Sequence, residues 1–322
     1  MDDLHLFKSL GNQGFQCLLC PHLCILKPGM SGFCRVRKSK DDGIYPQKNP
    51  VTVIAVDPIE KKPFYHFLPG STSLSIGFSG CNLRCPFCQN HELVETSHYQ
   101  KNISPEFIVK KAIEHKLPSV SFTYSEPLVH IEFLIETALL LKENNISVLL
   151  VTNGCMNLKP AKRLLSCLDG VKVDLKSFDQ SWYKNELKGD LKAVKEFIGL
   201  ASTMVHLEVV TLVIPGKNDH ESEIRQSAQF LADLNPNIPF HLTAYFPQLH
   251  YSIPPTNIEL LLRLKDIAQE FLNYVYTGNT GAVDQTFCSV CHTLLLDRFR
   301  GVSLLDHEGR CPVCQSVLYG KF

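Results

Sequence analysis

Thirteen cysteines constrain this 322-residue chain more than anything else in it, because eleven of them fall into three tight groups. Cys17, Cys20, Cys24 and Cys34 form the first, at C-x₂-C-x₃-C-x₉-C spacing. Cys81, Cys85 and Cys88 form the second, at C-x₃-C-x₂-C. Cys288, Cys291, Cys311 and Cys314 form the third, as two C-x₂-C knuckles. A chain of this length does not need disulfides to be stable. The polar residues and early cysteines of its first segment argue against a secretory signal, so the expected compartment is reducing and cytoplasmic. Clustered C-x-x-C pairs in that setting are metal sites. Cys155 and Cys167 stand outside the groups and are expected to be buried small hydrophobes.

Composition closes off other classes. Lys and Arg number 32, as do Asp and Glu, so the net charge is zero, and a polyanion-coating protein is not indicated. No run of 18 apolar residues is present, so no membrane-spanning helix is expected.

Residues 1–70 are rich in Cys, Pro, Gly and Lys and read as a loop-rich, metal-stapled module. Short β-branched runs then alternate with amphipathic stretches. The runs are Leu74–Phe78, Val120–Thr123, Val148–Val151, Val171–Leu175, Leu207–Ile214 and Phe240–Thr243, with Tyr274–Tyr276 as a closing edge. Ser104-Pro105 marks a helix start. Further helices are expected at Glu132–Leu141, Lys159–Leu168, Leu191–Ala201, Glu221–Leu234 and Ile258–Leu272. This alternation predicts an α/β fold, a partial (β/α)₆ TIM-like barrel over 71–280. Small Cys-rich modules flank it at 1–70 and 281–322.

Cys81, Cys85 and Cys88 directly follow the first barrel strand, and loops after strands lie at the catalytic face of such barrels. Three thiolates hold three irons of a [4Fe–4S] cluster and leave the fourth open; a zinc site with a distant fourth ligand is the competing reading. Cys288, Cys291, Cys311 and Cys314 have the spacing of a structural zinc site, with Leu294–Leu296 and Val302–Leu305 as ribbon strands. Cys17, Cys20, Cys24 and Cys34 suit either zinc or a second cluster.

The C-x₃-C-x₂-C motif after the first strand resembles the radical S-adenosylmethionine (SAM) superfamily. The resemblance implies that SAM chelates the open iron and that the reduced cluster cleaves it to a hydrogen-abstracting radical. Phe122-Thr-Tyr-Ser125-Glu126-Pro127 stands where the family has a Gly-Gly-Glu motif, with Tyr124-Ser125 in place of the glycines. Val151-Thr-Asn153-Gly154 and Val173-Asp174-Leu-Lys176 end the next two strands, and His241 lies on the sixth. In the branch of glycyl-radical-enzyme activases, an Asp-x-Lys pair and a strand-six His contact SAM. The implied SAM contacts are therefore Ser125, Glu126, Asn153, Asp174, Lys176 and His241. Singly, Asp174-Leu-Lys176 also reads as a strand-end ion pair, His241 as a core histidine and Thr152-Asn153-Gly154 as a turn.

Across its whole length the chain is similar to the radical SAM enzyme of the AmmeMemoRadiSam system. The residues are Cys17–Arg35, Asp57–Phe67, Gly80–Asn90 and Tyr276–Thr280. That resemblance implies Memo-type and AMMECR-type partners; reductive cleavage calls for an electron donor, and by analogy a barrel open on one side suits a macromolecular substrate, a protein or a nucleic acid. A glycyl-radical activase and a non-catalytic, zinc-stapled binding module are the rival readings. Asp57 and Glu60 are possible acid–base groups, but Glu60-Lys61-Lys62 reads first as a solvated, charged turn.

Overall fold

The computed structural model describes residues 4–48, 50–95, 102–281 and 284–322. One eight-stranded sheet organises them. Its strands are β1 (Val51–Pro58), β2 (Thr72–Phe78), β3 (Ser119–Thr123), β4 (Ser147–Thr152), β5 (Gly170–Asp174), β6 (His206–Val213), β7 (Phe240–Ala244) and β8 (Val275–Gly278). They lie in chain order; β2 to β8 are parallel, and β1 pairs antiparallel with β2. β1 and β8 do not pair, so the barrel is partial and open between them. The longer helices between the parallel strands, each of eight residues or more, are α1 (Pro105–Glu114), α2 (Ile131–Glu143), α3 (Leu158–Leu165), α4 (Leu191–Met204), α5 (Glu221–Leu234) and α6 (Ile258–Gln269).

The period-two pattern sets which side chains go where. Ile76, Val120, Phe122, Val148, Leu150, Val171, Val173, Leu207, Val209, Phe240 and Leu242 are buried in the main apolar core, which α1 to α6 also help to build. Alternate residues on the same strands point into the barrel and are polar at the level of Ser73, Ser121, Lys172, Glu208 and His241, all buried. Ser104 Oγ accepts from Phe107 N at 3.3 Å, so α1 begins at the expected cap.

Two sequence expectations need correction. Residue 70 is not a structural boundary, because Val51–Pro58 already belongs to the barrel sheet: its β-branched run pairs along the edge of β2. Glu60-Lys61-Lys62 is not simply a solvated turn. Lys62 and Asp57 are buried, and Lys62 Nζ donates to Asp57 Oδ2 at 2.5 Å.

Pro63–Phe67 then crosses the lower end of the barrel as a plug. The N–H groups of Tyr65 and His66 donate to Glu208 at 2.8–3.0 Å. The Cys-rich tail packs beneath: Leu68 N donates to the Lys321 carbonyl and Lys321 N to the His66 carbonyl. The Arg298 guanidinium lies 4.1 Å over the Tyr65 ring. The tail forms strands at Thr286–Phe287, Leu294–Asp297 and Val302–Ser303, as its ribbon pattern predicts. Among the described residues, no helix is long and apolar enough to cross a membrane.

Candidate active site

A cavity of about 500 Å³ opens at the C-terminal ends of the strands. Cys81, Cys85 and Cys88 line it, together with Ser125, Asn153, Asp174 and Lys176. The loop Cys81–Cys88 is fixed from several sides. Asn82 Nδ2 donates to the Cys155 carbonyl at 2.7 Å, Arg84 N donates to the Leu187 carbonyl at 2.8 Å, and Leu83 N donates to Cys81 Sγ at 3.3 Å. Burial pushes the Cys85 thiol up to about 12 although Lys176 opposes the shift, and burial raises Cys81 strongly. Thiols so placed become thiolates when a metal cation takes the proton's place. Three thiols are enough to hold three irons of a [4Fe–4S] cluster, and the set of three leaves a corner for an outside ligand.

Asp174 and Lys176 form an ion pair at 2.6 Å on the cavity wall. Burial alone would neutralise Lys176, but Asp174 and Cys85 outweigh it and hold the ammonium well above its ordinary value. Asn153 Nδ2 donates to Asn82 Oδ1 at 2.9 Å and lies 3.8 Å from Cys81 Sγ. Tyr124 and Ser125 both take positive φ, +53° and +32°. The left-handed backbone expected of glycines is therefore kept by larger residues. Tyr124 OH donates to Asp57 Oδ2 at 3.0 Å and Ser125 Oγ to the Phe78 carbonyl at 2.6 Å, which offset the strain.

Two expected SAM contacts do not line the cavity. Glu126 is fully buried, and its carboxylate accepts from Thr152 Oγ1 (2.7 Å), Asn153 N (2.8 Å) and Leu128 N (3.1 Å). It fixes the Thr152-Asn153 turn, and burial lifts it to about 7. His241 lies one inward layer below the cavity; Thr243 is the β7 residue that reaches it. Glu208 is held well below the carboxylate range: burial opposes ionisation, but His206, His241 and Lys172 outweigh it. Being acceptor-only, it receives Nε2–H from His241 at 2.7 Å and from His206 at 3.1 Å.

Lys61, Lys62 and Lys172 line the cavity without having been expected there. Lys172 is driven by burial down to about 7, against Glu208 and Asp174. The signal was a lysine at an inward position of a strand, in step with Asp174.

In the tail, Cys288 Sγ lies 3.5 Å from Cys314 Sγ, and Cys291 Sγ lies 3.5 Å from Cys311 Sγ; all four sulfurs gather within 4.8 Å. A larger hollow of about 830 Å³ between tail and β8 shares no residue with the cysteine-lined cavity. Cys155 and Cys167 are buried, as expected.

A parallel strand core with a cysteine triad at its C-terminal face is the architecture of one enzyme class, and residues 75–230 match the Radical SAM superfamily. The chain thus carries a domain of that superfamily, whose members are enzymes of radical-based chemistry. It is 32% identical over 328 residues to an uncharacterized protein of Methanocaldococcus jannaschii, with 98% of each chain covered. It is 26% identical over 164 residues to the pyruvate formate-lyase-activating enzyme of Clostridium pasteurianum, covering 49% of this chain and 68% of that one. Streptococcus suis SuiB bound to S-adenosylmethionine shares the fold, at TM-score 0.50 and 15% identity, over 62% of this chain and 48% of that one.

Proposed function

We propose that Cys81, Cys85 and Cys88 hold a [4Fe–4S] cluster, that SAM binds its open iron, and that the enzyme takes hydrogen from a macromolecular substrate. The observation that carries this is one cavity lined by both the three thiols and the Asp174–Lys176 pair. The bound cluster supplies the electron that breaks the sulfonium bond of SAM. The chain's own residues bind and orient. Lys176 offers a permanent positive charge to a carboxylate, and Asp174 a negative one to an ammonium group. Asn153, locked by Asn82 and by the Glu126-held turn, presents an amide beside Cys81. A cavity of about 500 Å³ takes one nucleoside-sized ligand and leaves the second reactant at its mouth, which favours a large substrate.

In the tail, tetrahedral zinc with bonds of about 2.3 Å sets its thiolates about 3.8 Å apart. The Cys288, Cys291, Cys311 and Cys314 spacing supports zinc there. The whole-length resemblance supports a place in the AmmeMemoRadiSam system, with Memo-type and AMMECR-type partners.

The test uses anaerobically reconstituted protein, dithionite and SAM. Release of 5′-deoxyadenosine is expected, and Cys81→Ala abolishes it. Lys176→Met keeps the iron but weakens SAM binding by about tenfold or more, the worth of one charge-assisted contact. Zinc in place of iron in the Cys81 triad after reconstitution would overturn the reading and leave a binding module. Deuterium transfer from a partner's glycine would favour the activase reading over the wider one.

A further inference from the structure

The function proposed above uses seven grouped cysteines and leaves the four N-terminal ones without a role. Those four converge. Cys17 lies within electrostatic reach of Cys34 and Cys24, and Cys20 of Cys17 and Cys34. The Cys24 and Cys34 sulfurs flank Gly32, where a methyl group would meet them at 3.7 and 3.8 Å.

The backbone is arranged for thiolates rather than thiols. The N–H groups of Leu19, His22 and Val36 each point at the sulfur two residues earlier. Leu83 makes the same bond to Cys81 at 3.3 Å, and Val290 to Cys288 at 3.4 Å. Phe33 N adds another to Cys24 at 3.4 Å. Amide–sulfur bonds of this kind orient thiolate ligands and tune a cluster's potential. Arg37, 1% exposed and clamped by Glu132, brings a buried positive charge near Cys17 and Cys34.

The module also meets the Cys81 loop directly. His22 Nε2 bonds the Asn82 carbonyl at 2.8 Å. Arg84 donates to the Phe33 carbonyl and stacks on its ring at 4.1 Å. The Cys34 carbonyl packs so closely on Gly80 that a Cβ there would sit 2.7 Å from it.

We propose that Cys17, Cys20, Cys24 and Cys34 hold a second [4Fe–4S] cluster, with every iron closed by protein, that relays electrons to the Cys81 triad. A reduced low-potential donor of the ferredoxin or flavodoxin class gives one electron to this cluster. The cluster passes that electron on and returns to its oxidised state; no bond or proton changes place. The relay rests on the function proposed above, whereas the site itself does not.

The test is metal and sulfide analysis of the full chain after anaerobic reconstitution. About eight irons are expected in the wild type and about four in the Cys81→Ala/Cys85→Ala/Cys88→Ala variant. The variant's reduced cluster gives an electron-spin resonance signal that added SAM does not move. Zinc instead of iron, or no metal, in the N-terminal group of that variant overturns the site. In Cys17→Ala/Cys34→Ala, deoxyadenosine release driven by a protein donor falls about tenfold further than release driven by dithionite. An equal fall in both overturns the relay. Should the second variant fail to fold, the iron content of the first decides the site alone. Eight irons in the wild type without deoxyadenosine release would leave the second cluster standing and remove the function above it.

Discussion

Ser125 shows how a single residue can fill a place that glycine fills more easily. Its φ of +32° is strained, and its hydroxyl bond to the Phe78 carbonyl offsets the strain. Relief of about 1 kcal/mol in Ser125→Gly and loss of a hydrogen bond worth about 1 kcal/mol nearly cancel. Urea unfolding of Ser125→Gly is thus expected within about 1 kcal/mol of the wild type, with deoxyadenosine release kept. Ser125→Val adds a β-branched side chain at positive φ and is expected to cost about 2 kcal/mol and most of the release. The same residue scale explains what the sequence could tell about the site. Cys81, Cys85, Cys88, Ser125, Asn153, Asp174 and Lys176 were legible because strand ends converge in a parallel barrel. Glu126 and His241 stand off the cavity wall for different reasons: the Glu126 carboxylate turns to Thr152 and Asn153, and His241 lies one inward layer deeper than Thr243. Lys62 was hidden because its burial depends on Asp57, Ser75 and Tyr124 meeting from separate segments.

At the scale of elements, the six strand–helix units were legible from period alone, nearly to their ends. Leu191–Met204 extends its expected helix by only three residues, and Glu221–Leu234 matches at both ends. β1 was missed although Val51-Thr-Val-Ile-Ala-Val is a strand-like run, because the surrounding Cys, Pro and Gly marked the segment as loop. An antiparallel edge strand has no helix after it to announce it. The tail docks through Arg298, which donates to the Tyr65 carbonyl at 2.6 Å and to Thr286 Oγ1 at 3.0 Å. Arg298→Ala leaves the Tyr65 carbonyl short of a donor and is expected to cost about 2 kcal/mol. Limited proteolysis checks this: cleavage within 285–322 should speed up, while fragments of the barrel should not appear earlier.

The molecule as a whole keeps three histidines neutral in its interior. Burial pushes His66 down to about 3, and His130 and His241 to about 4. The unfolded chain protonates all three near pH 6.5, so through them it binds about 2.5 more protons than the folded chain between pH 6 and pH 4.5, while Glu126, lifted by burial to about 7, takes nearly one back. Stability therefore falls as pH falls, by about 2 kcal/mol per pH unit over that window. Urea titrations at several pH values check the slope, and His130→Gln should remove about half of it. One further consequence follows from the plug. Pro63–Phe67, bound to Glu208 and backed by the tail, makes the barrel a vessel with a floor. A vessel filled through its mouth sets a queue. Whatever occupies the deep position must enter before the molecule that covers it, and must wait for that molecule to go before it can leave.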